Sequence, residues 1–542
     1  MIRATIHETD GSPAGASCAG EAGGSPAIPA RAGEVAYVPR IPARPGEAGG
    51  SWAGRARGAE ADGVPAGDRS GGQGGRRRRL LGAGLALSGA AAVAALGGCR
   101  LGPSGGGAAP GAGGQATGKV TWLLRNNAFE VEWANGVVLP EMARRFPHLT
   151  VEPMVVPGGA EYDAKLTSLA VAGDSPEVWT HFGGRSYVDY VKHGWLEDLT
   201  ALIRRDKLDL NAFLPNTLDW FKLRGKQYAL PFFQSYGSFV FYNKNLLARA
   251  GLKPPPADWN DRSWTWDAMV EYGAKLTSNP GTADATYGLL VFADGAQFLS
   301  QTLAQLWGGD IFLPEHYKEG IAPRSQLDSP AAIQGHQERQ DLIFRRRVSP
   351  TPADRQALGV SGDLFQAGKV ALYLHAGWAV RNYTTGVKDF EWGIAAIPPK
   401  AKAAGPQFTD AWMLGRQAKN KEGGWALIQY LVGAEGQKAW VRATGSGPAV
   451  RAAEDEWFRL MGDRMPAADL RKVTEGGLKH TTELAQHVFA NWADINKVIR
   501  EAVDPLWRNE ATAADALRRA RPLLDQVVEQ TYREYRPILT GA

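Results

Sequence analysis

From residue 119 onward, apolar and polar positions switch repeatedly between two periods. Lys119-Val120-Thr121-Trp122-Leu123-Leu124 is short, apolar and β-prone, and predicts a strand. Residues 131–146 then repeat at helical spacing, with Val138, Met142 and Phe146 on one face, until Pro147 stops them. Residues 150–156 predict a second strand. Residues 161–172 predict a helix with Tyr162, Leu166 and Leu169 on one face, ended by Gly173, and residues 177–181 a third strand. Further on, residues 238–244, 369–374 and 392–398 read as strands. Residues 246–251, 267–276 and 422–441 read as helices, as do residues 513–535 with an interruption at Pro522.

Strands that alternate with helices predict βαβ units and a mostly parallel sheet. In open α/β sheets, ligands sit outside the carboxyl ends of the strands. That rule makes Arg125, Asn126, Asn127, Trp179, Thr180 and His181 eligible for a site.

The first 118 residues carry no such pattern and are dominated by Gly, Ala, Pro, Ser and Arg. Residues 1–75 hold too little bulky apolar surface to fold and are expected to form a disordered extension. One expectation is that the annotated start is too early and translation begins nearer Val64. Residues 76–98 read as a signal peptide: four arginines, Arg76 to Arg79, an apolar run to Leu96, then small residues before Cys99. The run is shorter than the roughly 20 residues that span a bilayer. Leu96-Gly97-Gly98-Cys99 resembles the lipobox of bacterial lipoproteins. That resemblance implies cleavage before Cys99 and acylation of its thiol, with each buried methylene worth about 0.8 kcal/mol at a membrane. Arg77 and Arg78 fit a twin-arginine export signal, and equally the basic start of a general secretory signal. Cys99 and residues up to 118 form a Gly/Ala/Pro linker. Its Gly102-Pro103-Ser104-Gly105-Gly106 matches a hydrolase nucleophile elbow in letters only, since neither a strand nor a helix flanks it.

At 542 residues the chain exceeds one ordinary domain. Its formal charge is +5, of which residues 1–98 supply +3, so the remainder is close to neutral and carries no nucleic-acid footprint. The two cysteines, Cys18 and Cys99, both precede the patterned part, which therefore has neither a disulfide nor a thiolate metal site. Nine scattered histidines form no metal-site signature, and no phosphate-binding or dinucleotide fingerprint follows a strand. No metal and no cofactor is expected.

Several short motifs stand in a telling order. They are Phe146-Pro147-His148-Leu149-Thr150-Val151, then Ala172-Gly173-Asp174-Ser175-Pro176-Glu177-Val178, then Tyr242-Asn243-Lys244 with Ala250-Gly251-Leu252. Thr265-Trp266-Asp267, residues 365–371 with Gly377-Trp378, and residues 393–398 follow. In this order, behind a lipobox, the chain resembles the extracellular solute-binding proteins of ABC transporters, of the maltose-binding type. The resemblance covers roughly residues 119–542. It implies an α/β chain with the two-lobe periplasmic-binding-protein type II fold, a hinge and an interlobe ligand cleft. It places residues 119–235 and 390–445 in an N-terminal lobe and residues 236–389 and 446–542 in a C-terminal lobe. The chain would cross near Gln234-Ser235-Tyr236 and return near Trp392-Gly393. It further implies a monomer that binds a small solute, most naturally a sugar, and hands it to ABC permease subunits without catalysis. The protein would be held by lipidated Cys99 on the outer face of the cell membrane or a periplasmic membrane face.

Sugars present apolar C–H faces ringed by hydroxyls, which suit aromatic platforms among hydrogen-bonding groups. The chain has 18 Trp against 18 Phe and 15 Tyr, so platforms are plentiful. Most large aromatics are nonetheless core. By the resemblance, Trp378 is the first platform candidate, and Trp412 with Asp410 marks a second ligand loop. Phe233, Gln234 and Tyr236 sit at the proposed crossing, where hinge packing competes with ligand contact. Trp307 is followed by two glycines, which suits an exposed ring. Arg125 ends the first strand and suits a hydroxyl or an anion, or else a surface ion pair. Trp179 and His181 share a strand face, with a buried histidine the commoner outcome. Trp264, Trp266, Trp425 and Trp440 are expected in the core. A rival class is an anchored glycosidase with paired carboxylates. A structural surface protein would show repeats, and none is seen.

Overall fold

The alternation of periods resolves into two sheets, each wrapped by helices. A computed structural model describes residues 116–541 apart from 181–185, 293–295, 320–321, 463 and 483–490. Arg77, Arg78, Cys99 and His181, with the signal and extension segments, lie outside the described residues.

The strands of the two larger sheets are β1 (Gly118–Arg125), β2 (Leu149–Val156), β3 (Val178–Thr180), β4 (Ala229–Gln234), β5 (Ser238–Asn243), β6 (Tyr287–Val291), β7 (Val370–Ala376), β8 (Trp392–Ala395) and β9 (Thr409–Leu414). The first sheet has the order β2-β1-β3-β9-β4 and the second β8-β5-β7-β6. In the first sheet β1 runs parallel to β2 and β3, while β9 is antiparallel to both its neighbours. In the second sheet β6 and β7 are parallel and β5 is antiparallel to β7 and β8. The expected mostly parallel sheet is therefore a mixed pair. Segments that arrive from the other lobe enter a sheet without a local βα crossover, so their direction is not constrained to be parallel.

The helices used below are α1 (Ala128–Trp133), α2 (Leu139–Arg145), α3 (Ala160–Val171), α4 (Tyr187–Lys192), α5 (Trp266–Leu276), α6 (Ala296–Leu306), α7 (Pro330–Phe344), α8 (Pro352–Ala357), α9 (Ala379–Gly386), α10 (Lys421–Val432), α11 (Ala434–Thr444), α12 (Glu454–Met461), α13 (Trp492–Trp507) and α14 (Ala513–Thr540). Between α1 and α2 the backbone widens into a π turn, Ala134–Val138. Pro140 follows it; a proline has no N–H to return to the carbonyl four residues earlier, and a widened turn absorbs that loss. The helix expected over 422–441 is two helices broken at Gly433, which ends α10 and begins α11 in extended geometry. The expected interruption at Pro522 does not occur: α14 runs through it, with Pro522 on the exposed side and Leu524 in the core.

Two lobe boundaries differ from expectation. The chain leaves the first sheet after Gln234 and enters the second at Ser238. Its return does not fall at Trp392-Gly393, because Trp392–Ala395 still pairs with β5; the first sheet is regained only at Thr409. Residues 446–542 do not stay with the second lobe either. α14 packs against α13 and α7 through Leu517, Leu524 and Val528, but its last turns insert Tyr535 and Leu539 among Leu123, Tyr187 and Phe221 of the first lobe.

The first-lobe core centres on an aromatic cluster. Trp122 meets Trp133 and Trp412 edge-on at 5.6 and 5.4 Å, Trp133 meets Trp440 at 4.8 Å, and Phe232 stacks on Trp412 at 4.2 Å. Each such pair adds about 0.5–1.5 kcal/mol beyond area burial. Trp264, Trp266, Trp425 and Trp440 are all buried, as helical core residues should be. Among the described residues no helix is long and apolar enough to cross a membrane.

Candidate functional site

Where the chain crosses between sheets, three backbones press together. Tyr236 adopts φ 56° and Gly237 φ 90°, the left-handed turn that redirects β4 into β5. A Cβ on Gly377 would stand 1.9 Å from the Ser235 carbonyl oxygen, and one on Gly447 would stand 2.2 Å from that of Gln234. Only glycine fits at either place. Gly377 N–H donates to the Gly237 carbonyl at 2.9 Å. The contact fixes the next residue, Trp378, beside the crossing.

Trp378 therefore lines a narrow recess with Gln234, Tyr236, Arg381, Ser446 and Trp457. Its ring is half-buried and meets His375 edge-on at 4.7 Å. His375 stacks on Tyr373 at 4.4 Å, and burial lowers its pKa to about 3, so it is neutral. Tyr236 packs on Trp457 at 4.7 Å and its hydroxyl donates to Glu454 at 3.2 Å. Gln234 accepts from Gln407 Nε2 at 3.0 Å, while Gln234 Nε2 and Gln407 Oε1 have no partner among the described residues. A buried donor and a buried acceptor are thus left unsatisfied at the crossing.

A charged group stands beside the recess on the first-lobe side. Arg125 pairs with Glu130 through Nη2 and lies 3.8 Å from Asp410. Glu130 and Phe129 come from α1, Asp410 from the start of β9. From the second lobe, the Arg381 guanidinium lies 3.7 Å from the centre of the Phe129 ring and donates to Ser446 Oγ at 3.4 Å. Burial raises Asp410 to about 6, opposed by Arg125 and reinforced by Glu130. Burial also lowers Arg381 to about 10. Two cations and two carboxylates therefore share one partly dry space.

Of the residues singled out by sequence, Trp378, Tyr236 and Gln234 meet in the recess, and Arg125 and Asp410 meet beside it. Phe233 is buried opposite Asp410 in the sheet. Trp412 is corrected to a core residue. It shares a strand face with Asp410 but lies one repeat deeper, covered by Phe232 and Trp122 and 2% exposed. Trp179 is likewise core, fully buried beside Tyr190 at 6.4 Å. Trp307 is half-buried edge-on against Trp266 at 5.0 Å and is not among the residues that line the recess. Sequence reading missed Phe129, Glu130, Arg381, Ser446 and Trp457. Arg381 carried a usable signal, since it follows Trp378 by three residues and so shares its helix face. The others are joined only by the tertiary fold. Among the described residues no group of three or more His, Cys, Asp or Glu forms a metal site.

Comparison with known proteins follows this geometry. The model of the bacterial extracellular solute-binding protein family matches residues 131–438. A Brucella abortus protein designated by inference as a binding protein is 25% identical over 331 residues, 58% of this chain and 72% of its own. The mannitol-binding protein of Pseudomonas aeruginosa is 26% identical over 240 residues, 42% of this chain and 49% of its own. The solved ABC substrate-binding protein of Listeria monocytogenes in complex with cycloalternan superposes with a TM-score of 0.63 at 19% identity, covering 76% of this chain and 98% of that one. That likeness establishes the two-lobe binding-protein fold.

Proposed function

The chain belongs to the family of bacterial extracellular solute-binding proteins, and from that premise we propose that it captures a neutral carbohydrate or polyol between its lobes for an ABC importer. The observation that carries this reading is the recess where Trp378 and Gln234, whose Nε2 has no partner among the described residues, stand beside the Arg125, Glu130, Asp410 and Arg381 group. An aromatic face suits the C–H side of a sugar ring, and fixed donors and acceptors suit its hydroxyls. The two arginines are matched by two carboxylates, so the site has no net charge to offer an anion and favours a neutral solute over a sugar phosphate. The mannitol and cycloalternan named for two similar proteins are both neutral polyhydroxylated compounds.

Arg381 and Phe129 come from opposite lobes, so their stacking closes the space over a bound solute in a hinge motion. The lipobox at Leu96 to Cys99 supports tethering by a lipidated Cys99; the expected linker ends short of residue 118, since Ala116 is buried and Gly118 opens β1. Transport then needs no chemistry from this chain.

The test is a thermal-shift panel of monosaccharides, oligosaccharides, polyols and sugar phosphates on the purified chain, with turnover followed in parallel. A neutral solute at a hundredfold excess over its Kd should stabilise the protein by about 2.7 kcal/mol. Trp378→Ala should abolish that gain while the unliganded protein still folds. Preferential stabilisation by sugar phosphates would contradict the charge argument. Hydrolysis of a glycoside at an enzyme-like rate would overturn the binding-protein reading.

A further inference from the structure

A second recess, of about 260 Å³, lies in the second lobe between the outer strand β6, α7, α8 and the end of α13. It shares no lining residue with the interlobe recess. Its chemistry is different. Arg339 of α7 is 8% exposed, and its guanidinium lies 3.8 Å from the centre of the Trp507 ring. Its Nε donates to the Val291 carbonyl at 3.2 Å and its Nη2 to that of Phe292 at 3.3 Å, while Nη1 has no partner among the described residues. These contacts hold the group in place but bring no carboxylate to it among the described residues.

The second cation makes the imbalance worse. Arg355 of α8 lines the same recess and is half-buried. Among the described residues neither arginine forms an ion pair with a carboxylate. The adjacent carboxylate, Asp354, is already committed: it accepts from Thr351 N at 2.8 Å at the start of α8 and pairs with Arg347 at 3.2 Å. Burial, with the like charge of Arg355, lowers Arg339 to about 9. A buried cation without a counterion is costly, and the cost falls when an anion enters.

We propose that this recess is a binding site for a small organic anion, a carboxylate on an apolar body. Arg355 supplies the reachable donors, Arg339 the buried charge, and Trp507 with Leu290 and Ile343 the apolar wall. That wall is why an organic carboxylate is favoured over a hydrated inorganic oxyanion. Charge-assisted hydrogen bonds from an arginine to a carboxylate are among the stronger polar contacts available.

The experiment titrates the purified full chain with benzoate, its uncharged analogue benzamide, and inorganic phosphate, read by calorimetry and thermal shift. Saturable benzoate binding is expected, with benzamide and phosphate each at least about tenfold weaker. Arg355→Gln should weaken benzoate about tenfold while its far-ultraviolet circular dichroism stays that of the parent, and Arg355→Lys should recover part of the loss. Equal binding of benzamide and benzoate, an undiminished benzoate affinity in Arg355→Gln, or phosphate binding in preference to benzoate would each overturn the proposal. Because no sugar or polyol enters the titration and Arg355 lies outside the interlobe recess, its outcome is independent of which solute that recess takes.

Discussion

At the scale of single residues, Asp410 is the most informative group in the site. Its carboxyl is raised to about 6, because burial disfavours its charge more than Arg125 restores it. An ordinary aspartate titrates near 3.9. A raised folded pKa means that the folded chain holds this proton more tightly than the unfolded chain. The group's contribution to stability is therefore fully present below about pH 4 and is lost as pH rises through about 6. Solute binding should run the other way, since an ionised Asp410 accepts hydroxyl hydrogens and a protonated one competes as a donor. We expect affinity for the neutral solute to fall as pH drops through about 6, and the profile of Asp410→Asn to be flat there. Calorimetry between pH 5 and 7.5 checks both. A parent profile without that step would remove Asp410 from the contact set. Trp378 and Trp412 make the complementary point. Both were platform candidates, yet Trp378 stands just beyond the end of β7 and Trp412 lies inside β9.

At the scale of elements, the crossing segment depends on glycines that belong to other elements. Gly377 opens the turn after β7, and Gly447 follows α11, and both lie against the backbone of residues 234–235. A methyl group at Gly377 would meet a carbonyl oxygen that sits in the middle of the hinge, not the tip of a yielding side chain. Gly377→Ala should therefore destabilise the protein by about 1–3 kcal/mol, the usual range for overpacking. It should also displace Trp378, so that solute affinity drops along with stability. Urea unfolding and calorimetry on the same preparation separate the two effects. Unchanged stability would mean that the crossing relaxes around the extra methyl.

For the whole molecule, α14 is the unusual feature. Most of its length packs with α13 and α7 in the second lobe, while Tyr535 donates to Asp189 of α4 and Lys192 pairs with Glu534. The Lys192 ammonium also lies 4.2 Å from the centre of the Tyr535 ring. One rigid helix is thus anchored in both lobes, on elements that hinge closure would move relative to each other. Tyr535→Ala should remove about 3 kcal/mol, typical of a buried aromatic truncation. Hydrogen exchange should quicken over residues 530–540 and stay slow over 513–528, where the second-lobe contacts persist. Uniform quickening along the helix would show that it unfolds as one unit with the lobes.

The chain by itself determined its elements and its class. Periodicity located β1, β2, β3, β5 and β7 to within two residues, because local alternation decides which face can be buried. The ordered motifs, from Phe146-Pro147 to Gly377-Trp378, pointed to a family that comparison then established. Arg125 was legible as a candidate because it ends a strand, whereas Trp378, Asp410, Tyr236 and Gln234 were legible through the family resemblance. The tertiary structure decided which of them meet. Strand direction, the late return to the first sheet, the core position of Trp412 and the double anchorage of α14 all rest on contacts between residues far apart in sequence. Phe129 facing Arg381, and Arg339 left without a carboxylate among the described residues, are relations of the same kind. A side chain's type is written locally, but its neighbours, and hence its burial, charge balance and use, are set only when distant segments pack.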